Sequence, residues 1–164
     1  MNQIDNFRGA LLGLACGDAV GTTVEFKPRG SFSPLTDMVG GGPFNLALGQ
    51  WTDDTSMAMC LAESLVRRDE FDAHDQMTRY ANWYRNGYWS ATGECFDIGM
   101  ATRAAIDQFL LSGEPLSGNE DPRSAGNGSI MRLAPVVLRY AGTPELPAMA
   151  ELGSRTTHAA RECL

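Results

Sequence analysis

Cysteine, histidine and basic residues are all scarce in this 164-residue sequence, and long apolar runs are missing. The four cysteines, Cys16, Cys60, Cys95 and Cys163, lie far apart with no Cys-x-x-Cys spacing. Three of them sit in apolar helical contexts, where a free thiol packs as a small hydrophobe, which points to a reducing compartment. Thirteen Lys and Arg stand against 20 Asp and Glu, a net charge of -7. That balance argues against general nucleic-acid binding through phosphate neutralisation, and an anionic ligand would need help from a metal or from backbone N–H groups. The first residues, Met1-Asn2-Gln3-Ile4-Asp5-Asn6, carry no basic stretch, and the apolar segment 11–20 is broken by Gly13, Gly17 and Asp18. Neither a signal peptide nor a membrane span is supported, so no membrane partner is expected and the expected location is cytoplasmic.

What the sequence does hold is 43% hydrophobic and 20% charged residues, enough to bury the core of one ordinary globular domain. Its most informative segment is Thr52-Asp53-Asp54-Thr55, four oxygen-bearing residues between Trp51 and an apolar helical run. Adjacent carboxylates repel unless something positive lies between them, and hard divalent cations choose oxygen ligands of this kind. Asp and Thr are also favoured helix caps, and Asp54 or Thr55 stands where the next helix would begin. A cap needs one of the four residues; a metal site uses several.

Helical spacing dominates the rest. Asp5 is placed to cap a helix carrying Phe7, Leu11, Leu14 and Ala15 and ending near residues 17–21, with Gly13 and Gly17 suggesting close helix packing. Met57, Leu61, Leu65 and Val66 define a second helix, and Met77, Tyr80, Ala81 and Tyr84 a third closed by Gly87. Residues 98–111 make a fourth, with Asp97 as cap and Gly113 as stop. A fifth run from Ser129 to Gly142 contains Pro135, which either kinks it or marks a new first turn. Thr143-Pro144 reads as another helix start, and Thr156-Thr157-His158 as the start of a last helix over 159–164. No segment alternates apolar and polar residues between turn signals, so the expected fold class is all-α. The exception is 21–51, which holds Pro28, Pro34, Pro43 and Gly40-Gly41-Gly42. An irregular stretch of that length suggests a functional loop or lid, with 29–37 its solvated part.

Three further groupings carry chemistry. Gly17-Asp18-Ala19-Val20-Gly21 and Glu25 put two carboxylates near a helix end, a pattern that an ordinary C-cap and a surface charge also explain. Gly126-Asn127-Gly128-Ser129, running into Ile130-Met131-Arg132, is a small loop feeding a helix, which suits a phosphate or diphosphate or is a plain turn. It lacks the Gly-Lys-Ser/Thr ending of a Walker loop and no strand precedes it. His74 lies in a polar helix start and reads as solvated; His158 either reaches a ligand or satisfies local backbone groups. Trp83, Tyr84, Tyr88 and Trp89 read as core aromatics.

Taken in order, the segment 9–21, Glu25, Trp51-Thr52-Asp53-Asp54-Thr55, Phe96-Asp97-Ile98-Gly99, the segment 126–132 and Thr157-His158 resemble the ADP-ribosylglycohydrolase family, of the dinitrogenase-reductase-activating type. The resemblance implies a compact, orthogonal all-α domain whose N-terminal part this chain, 1–164, supplies. It implies a binuclear Mg²⁺ or Mn²⁺ centre and cleavage of the C1″ glycosidic bond joining ADP-ribose to a protein or other acceptor. Thr52, Asp53 and Asp54 match metal ligands, and Glu25, Asp54 and Asp97 match catalytic positions. Gly126, Asn127, Gly128 and Ser129 match the diphosphate loop, and His158 borders the ADP-ribose pocket.

One departure is that the family's later Gly-Gly-Asp-x-Asp-Thr motif has no counterpart in these 164 residues. The chain therefore resembles a truncated domain. By itself it is expected to lack half of the metal ligands and its activity is in question, with a C-terminal fragment as the partner that would restore them. Two rivals stand beside the hydrolase: a non-catalytic ADP-ribose-binding or crystallin-like relative, and an all-α metal-dependent phosphohydrolase, whose sites lean on several histidines where this chain has two.

Overall fold

Among residues 3–164, which the computed structural model of the chain describes, the helical periodicities become α1 (Gln3–Gly21), α2 (Asp53–Arg68), α3 (Ala73–Asn86), α4 (Met100–Ser112), α5 (Ala134–Tyr140) and α6 (Leu146–Arg155). The β pairing among these residues amounts to isolated bridges, Gly41 with Leu46 and Asn119 with His158, so the fold is all-α. No helix of the described residues is long and apolar enough to cross a membrane.

The core forms where the apolar stripes of α2, α3 and α4 meet. Met57, Cys60, Leu61 and Leu65 of α2 pack with Met77, Tyr80, Ala81 and Trp83 of α3, Ile106 and Phe109 of α4 and Val136 of α5. α2 is the hub, touching α1, α3, α5 and the 3₁₀ turn Ile130–Arg132. Helix ends follow their local chemistry. Asp72 caps α3 by accepting from Asp75 N at 2.9 Å, and Gly87, at φ 66°, closes it with its N–H on the Trp83 carbonyl. Gly113, at φ 75°, ends α4 in the same left-handed way.

Several expectations are corrected. Asp5 lies inside the first turn of α1 rather than ahead of it. A Cβ built on Gly9, Gly13 or Gly17 meets nothing within 4 Å, so the close packing expected of Gly13 and Gly17 is not made by the described residues. α1 touches α2 and α5, and Ala19 is its one buried residue. α4 starts after Gly99, because Asp97 takes φ 57°, which a helix cap does not. The run from Ser129 breaks into the turn Ile130–Arg132 and then α5, with Pro135 in α5's first turn, where its missing N–H costs nothing. α6 starts at Leu146 rather than at Thr143, and residues 159–164 form only a 3₁₀ turn, Arg161–Cys163. Cys60 is the only buried cysteine; all four thiols are free. Trp83 is core, but Trp89 is partly exposed and spends its indole N–H on Glu63 at 2.9 Å.

The 21–51 segment is irregular but anchored at both arms. After the 3₁₀ turn Thr22–Val24, Thr23 Oγ1 donates to the Gly40 carbonyl at 3.0 Å. Gly42, at φ 68°, lies so close to Thr22 that a Cβ would run into its carbonyl. The far arm is held by Gln50 Nε2 on the Ala91 carbonyl and Trp51 Nε1 on the Trp89 carbonyl, each at 3.1 Å. Residues 29–37 between them are largely exposed.

Candidate functional site

The site is built on the junction between the end of α1 and the start of α2. Thr52 is the N-cap of α2 but makes no side-chain cap bond of its own. Asp18 of α1 does the capping from 34 residues away: its carboxylate accepts from Thr52 N at 3.0 Å and Thr52 Oγ1 at 2.9 Å. It also accepts from Thr55 N at 3.1 Å and Thr55 Oγ1 at 2.6 Å. Thr52 is thus buried and turned onto Asp18. Asp18 is the residue that sequence reasoning undervalued, since nothing local distinguishes it from a C-terminal charge beside Gly17.

With the cap supplied from outside, Asp53 and Asp54 are released from that duty into the first turn of α2. Glu25 follows the Thr22–Val24 turn, and Asp97 reaches in from the loop before α4 on a left-handed backbone. Burial, then Asp97 and Asp54, push the Asp53 carboxyl up to about 8. Burial, then Asp18 and Glu25, raise Asp54 to about 6. Burial, then Glu25, Asp54 and Asp18, raise Asp97 to about 7. Burial and Asp18 raise Glu25 as well. No ion pair among the described residues involves any of these five acids. The result is a partly buried negative cluster whose donors are all oxygen, the chemistry a hard divalent cation takes. The donor set fits such an ion; the cage is incomplete, since no three His, Cys, Asp or Glu of the described residues converge closely enough to hold one.

A cleft of about 760 Å³ has Glu25, Asp53, Asp54 and Asp97 on its wall together with Arg123, Gly126, Asn127, Gly128 and His158. The two glycines are there for the His158 ring. A Cβ on Gly128 would meet His158 Cε1 at 2.6 Å, and one on Gly126 would meet Nε2 at 3.4 Å. Gly118 and Asn119 brace the turn that carries His158, with Ala159 N donating to the Asn119 carbonyl at 3.3 Å. Burial and the nearby Arg132 push the His158 imidazole down to about 4, so it stays neutral near pH 7. Ser129 belongs to the same loop but borders a neighbouring hollow with Ala150 and Ser154 instead of the cleft. The loop feeds a three-residue 3₁₀ turn, so the expected α-helix dipole is not behind it. His74 is exposed on α3, stacked edge-on to Phe109 and not part of the cleft wall.

A family model described as ADP-ribosylglycohydrolase matches residues 1–164. The chain is 56% identical over 135 residues to an ADP-ribosylarginine hydrolase Tri1 of Pseudomonas putida (strain GB-1), covering 82% of this chain and 36% of that protein. Against the Tri1 hydrolase of Serratia proteamaculans (strain 568) it is 46% identical, covering 99% and 44%. Against the ADP-ribosyl-[dinitrogen reductase] glycohydrolase of Rhodospirillum rubrum it is 34% identical, covering 94% and 51%. A solved structure titled "ADP-ribosylglycohydrolase-related protein complex" superposes with a TM-score of 0.85 at 48% identity, over 98% of this chain and 52% of that one. The chain thus spans about half or less of the length of these relatives. With its family motifs gathered on one cleft and the match running through all 164 residues, the chain belongs to the ADP-ribosylglycohydrolase family.

Proposed function

We propose that the protein is a metal-dependent hydrolase that frees ADP-ribose from a modified protein by cleaving the C1″ glycosidic bond, with an arginine side chain as acceptor. The observation that carries this reading is a single cleft with a crowded carboxylate cluster and a glycine loop beside a neutral histidine. The arginine acceptor is taken from the names of the Tri1 relatives. Free cysteines and the absence of a membrane-length helix among the described residues are consistent with a cytoplasmic setting.

In this reading 126–128 and His158 hold the diphosphate, Asp97 orients the ribose, and the anchored 21–51 segment lays Glu25 over the scissile bond as a lid. Glu25 and Asp54 are the candidates for proton transfer: burial and neighbouring carboxylates raise both carboxyls, Asp54 to about 6, which favours proton exchange at the site. Glu25 takes the proton of an attacking water as the C1″–O bond forms and the C1″–N bond breaks, then passes it to the departing guanidine nitrogen. Thr52, Asp53 and Asp54 would hold Mg²⁺ or Mn²⁺, two ions in the complete domain, and such ions polarise ribose hydroxyls and lower the pKa of bound water. The remaining ligands would come from a segment matching the family's second acidic motif, in the same polypeptide or in a partner fragment, with 1–164 as the N-terminal part of one domain.

The test is hydrolysis of an ADP-ribosylated arginine peptide by the whole protein with Mg²⁺ or Mn²⁺. Retention of full activity in an Asp53→Ala, Asp54→Ala double variant would falsify the reading. The incomplete cage favours one second reading, ADP-ribose binding without turnover; calorimetric binding of ADP-ribose with no hydrolysis under any metal would select it. The phosphohydrolase reading gains nothing, since His74 does not line the cleft and His158 packs against the glycine loop.

A further inference from the structure

Arg132 is the largest buried cation among the described residues and makes no ion pair, the Asp53 carboxylate acting on it only through space. It is 1% exposed, and none of the ion pairs among the described residues includes it. Its guanidinium lies 4.9 Å from the centre of the Tyr80 ring. Nη1 donates to the Gly128 carbonyl at 3.2 Å, and Nη2 to the Gly153 carbonyl at 3.1 Å and to Thr157 Oγ1 at 2.6 Å. An arginine keeps its proton in a protein, and a buried one without an ion-pair partner is costly unless the fold uses the charge. The ring contact ties the guanidinium to α3, and the hydrogen bonds tie it to the glycine loop, to the end of α6 and to Thr157 beside His158.

The hydrogen-bond inventory then fixes a proton. Thr157 Oγ1 has one hydrogen and accepts from Arg132, which only donates. The atom on its other side is His158 Nδ1 at 2.8 Å. A hydroxyl oxygen has a second lone pair, but among the hydrogen bonds of the described residues its hydrogen has no acceptor other than Nδ1, so satisfying this buried hydroxyl leaves Nδ1 unprotonated and Nε2 carrying the proton. Nε2 is the nitrogen facing Gly126 and Gly128, where notional Cβ atoms would lie 3.4 and 3.0 Å away. No protein acceptor for Nε2 occurs among the hydrogen bonds of the described residues, and the ring borders the cleft.

We infer that Arg132 and Thr157 form a positioning relay that locks His158 as the neutral Nε2–H tautomer, so that Nε2 donates to a diphosphate oxygen seated on the 126–128 loop. The diphosphate part rests on the proposed function; the lock does not. The relay gives the anion a fixed donor while the unpaired charge of Arg132 stays beneath the loop, shielded from water. It also explains why both loop positions are glycine: the donor edge must come close to the backbone that holds the anion.

Because Arg132 is wholly buried, its replacement tests folding as much as function, so Thr157 is the position to vary in the whole protein. The His158 ring is identified in ¹⁵N spectra by the signals lost in His158→Gln. The expected wild-type ring has Nδ1 unprotonated and Nε2 protonated from about pH 5 to 8. Thr157→Ser keeps that pattern. Thr157→Val removes the donor to Nδ1, so the Nδ1–H tautomer becomes populated and the affinity for ADP-ribose and for pyrophosphate falls about tenfold. A wild-type ring protonated on Nδ1, or a Thr157→Val protein with unchanged tautomer and unchanged affinity, overturns the relay. A wild type that binds neither ADP-ribose nor pyrophosphate instead overturns the diphosphate reading, while the ring spectra still decide the lock.

Discussion

Asp18 Oδ2 accepts a 2.6 Å hydrogen bond from the Thr55 hydroxyl, and through that pair the end of α1 caps the start of α2. The same carboxylate holds both the N–H and the hydroxyl of Thr52, so one side chain from another helix satisfies groups that a local cap would normally serve. Asp18→Ala leaves these donors at a half-buried helix end without an acceptor. The expected loss is about 2–3 kcal/mol, seen as a melting temperature lower by roughly 5–10 °C. Thr55→Val removes only one donor and is expected to cost about 1 kcal/mol. Asp18→Asn should also lower the Asp54 and Glu25 carboxyl pKa values, since the Asp18 charge contributes to raising both. Carboxyl ¹³C titration measures that directly.

The carboxylate cluster sets a pH dependence whose sign is opposite to ordinary acid denaturation. Asp53, Asp54 and Asp97 are raised from 3.8 to about 8, 6 and 7, so the folded state binds protons that the unfolded state has released. Their stability contribution is complete below about pH 4 and is lost as pH rises through 6 to 8. For buried Asp53 the slope approaches, at most, about 1.4 kcal/mol per pH unit. Without divalent ions the melting temperature is expected to fall between pH 5 and about 8. Mg²⁺ or Mn²⁺ should replace the protons and flatten that fall, with apparent metal affinity rising with pH. Thermal melts across this range with and without EDTA check both.

What was legible in the sequence and what was not divides by range. α2, α3 and α4 could be read because Met57, Leu61 and Leu65, or Met77, Tyr80 and Ala81, repeat at the helical period, and because Gly87 and Gly113 end helices by local backbone chemistry. The cleft residues Glu25, Asp53, Asp54, Asp97 and His158 were legible as motifs, and the fold brings them to one wall. Hidden from the sequence were the Asp18 cap, which spans 34 residues, and the left-handed Asp97, whose conformation is imposed by its surroundings. Arg132 was hidden as well: at the end of a Gly-rich motif it looks like a surface charge, and only the fold buries it. The open surface of α1 at Gly13 and Gly17 is a miss of the same kind, since small residues announce close packing without saying with what.

Asp53→Asn should separate stability from function. Asp53 is buried, repelled by Asp97 and Asp54, and in no ion pair among the described residues, Arg132 acting on it only at a distance. A neutral amide of the same size relieves that repulsion. The metal-free protein at pH 8 is expected to gain about 1–2 kcal/mol, while hydrolysis of ADP-ribosylated arginine by the whole protein is lost. Equal stability of variant and wild type in EDTA at pH 8 would show that the cluster is not strained.

Gly128 and Gly126 offer a graded test of the histidine edge. A methyl at Gly128 would lie 2.6 Å from His158 Cε1, whereas one at Gly126 would lie 3.4 Å from Nε2. The first contact forces the ring or the loop to move; the second needs a shift of a few tenths of an ångström. Gly128→Ala is expected to cost about 1–3 kcal/mol and most of the affinity for ADP-ribose; Gly126→Ala should keep stability nearly unchanged. His158→Ala removes the obstacle, so adding it to Gly128→Ala should recover stability but not binding. A double-mutant cycle measures the coupling, and purely additive effects would mean that the glycine is not there for the ring.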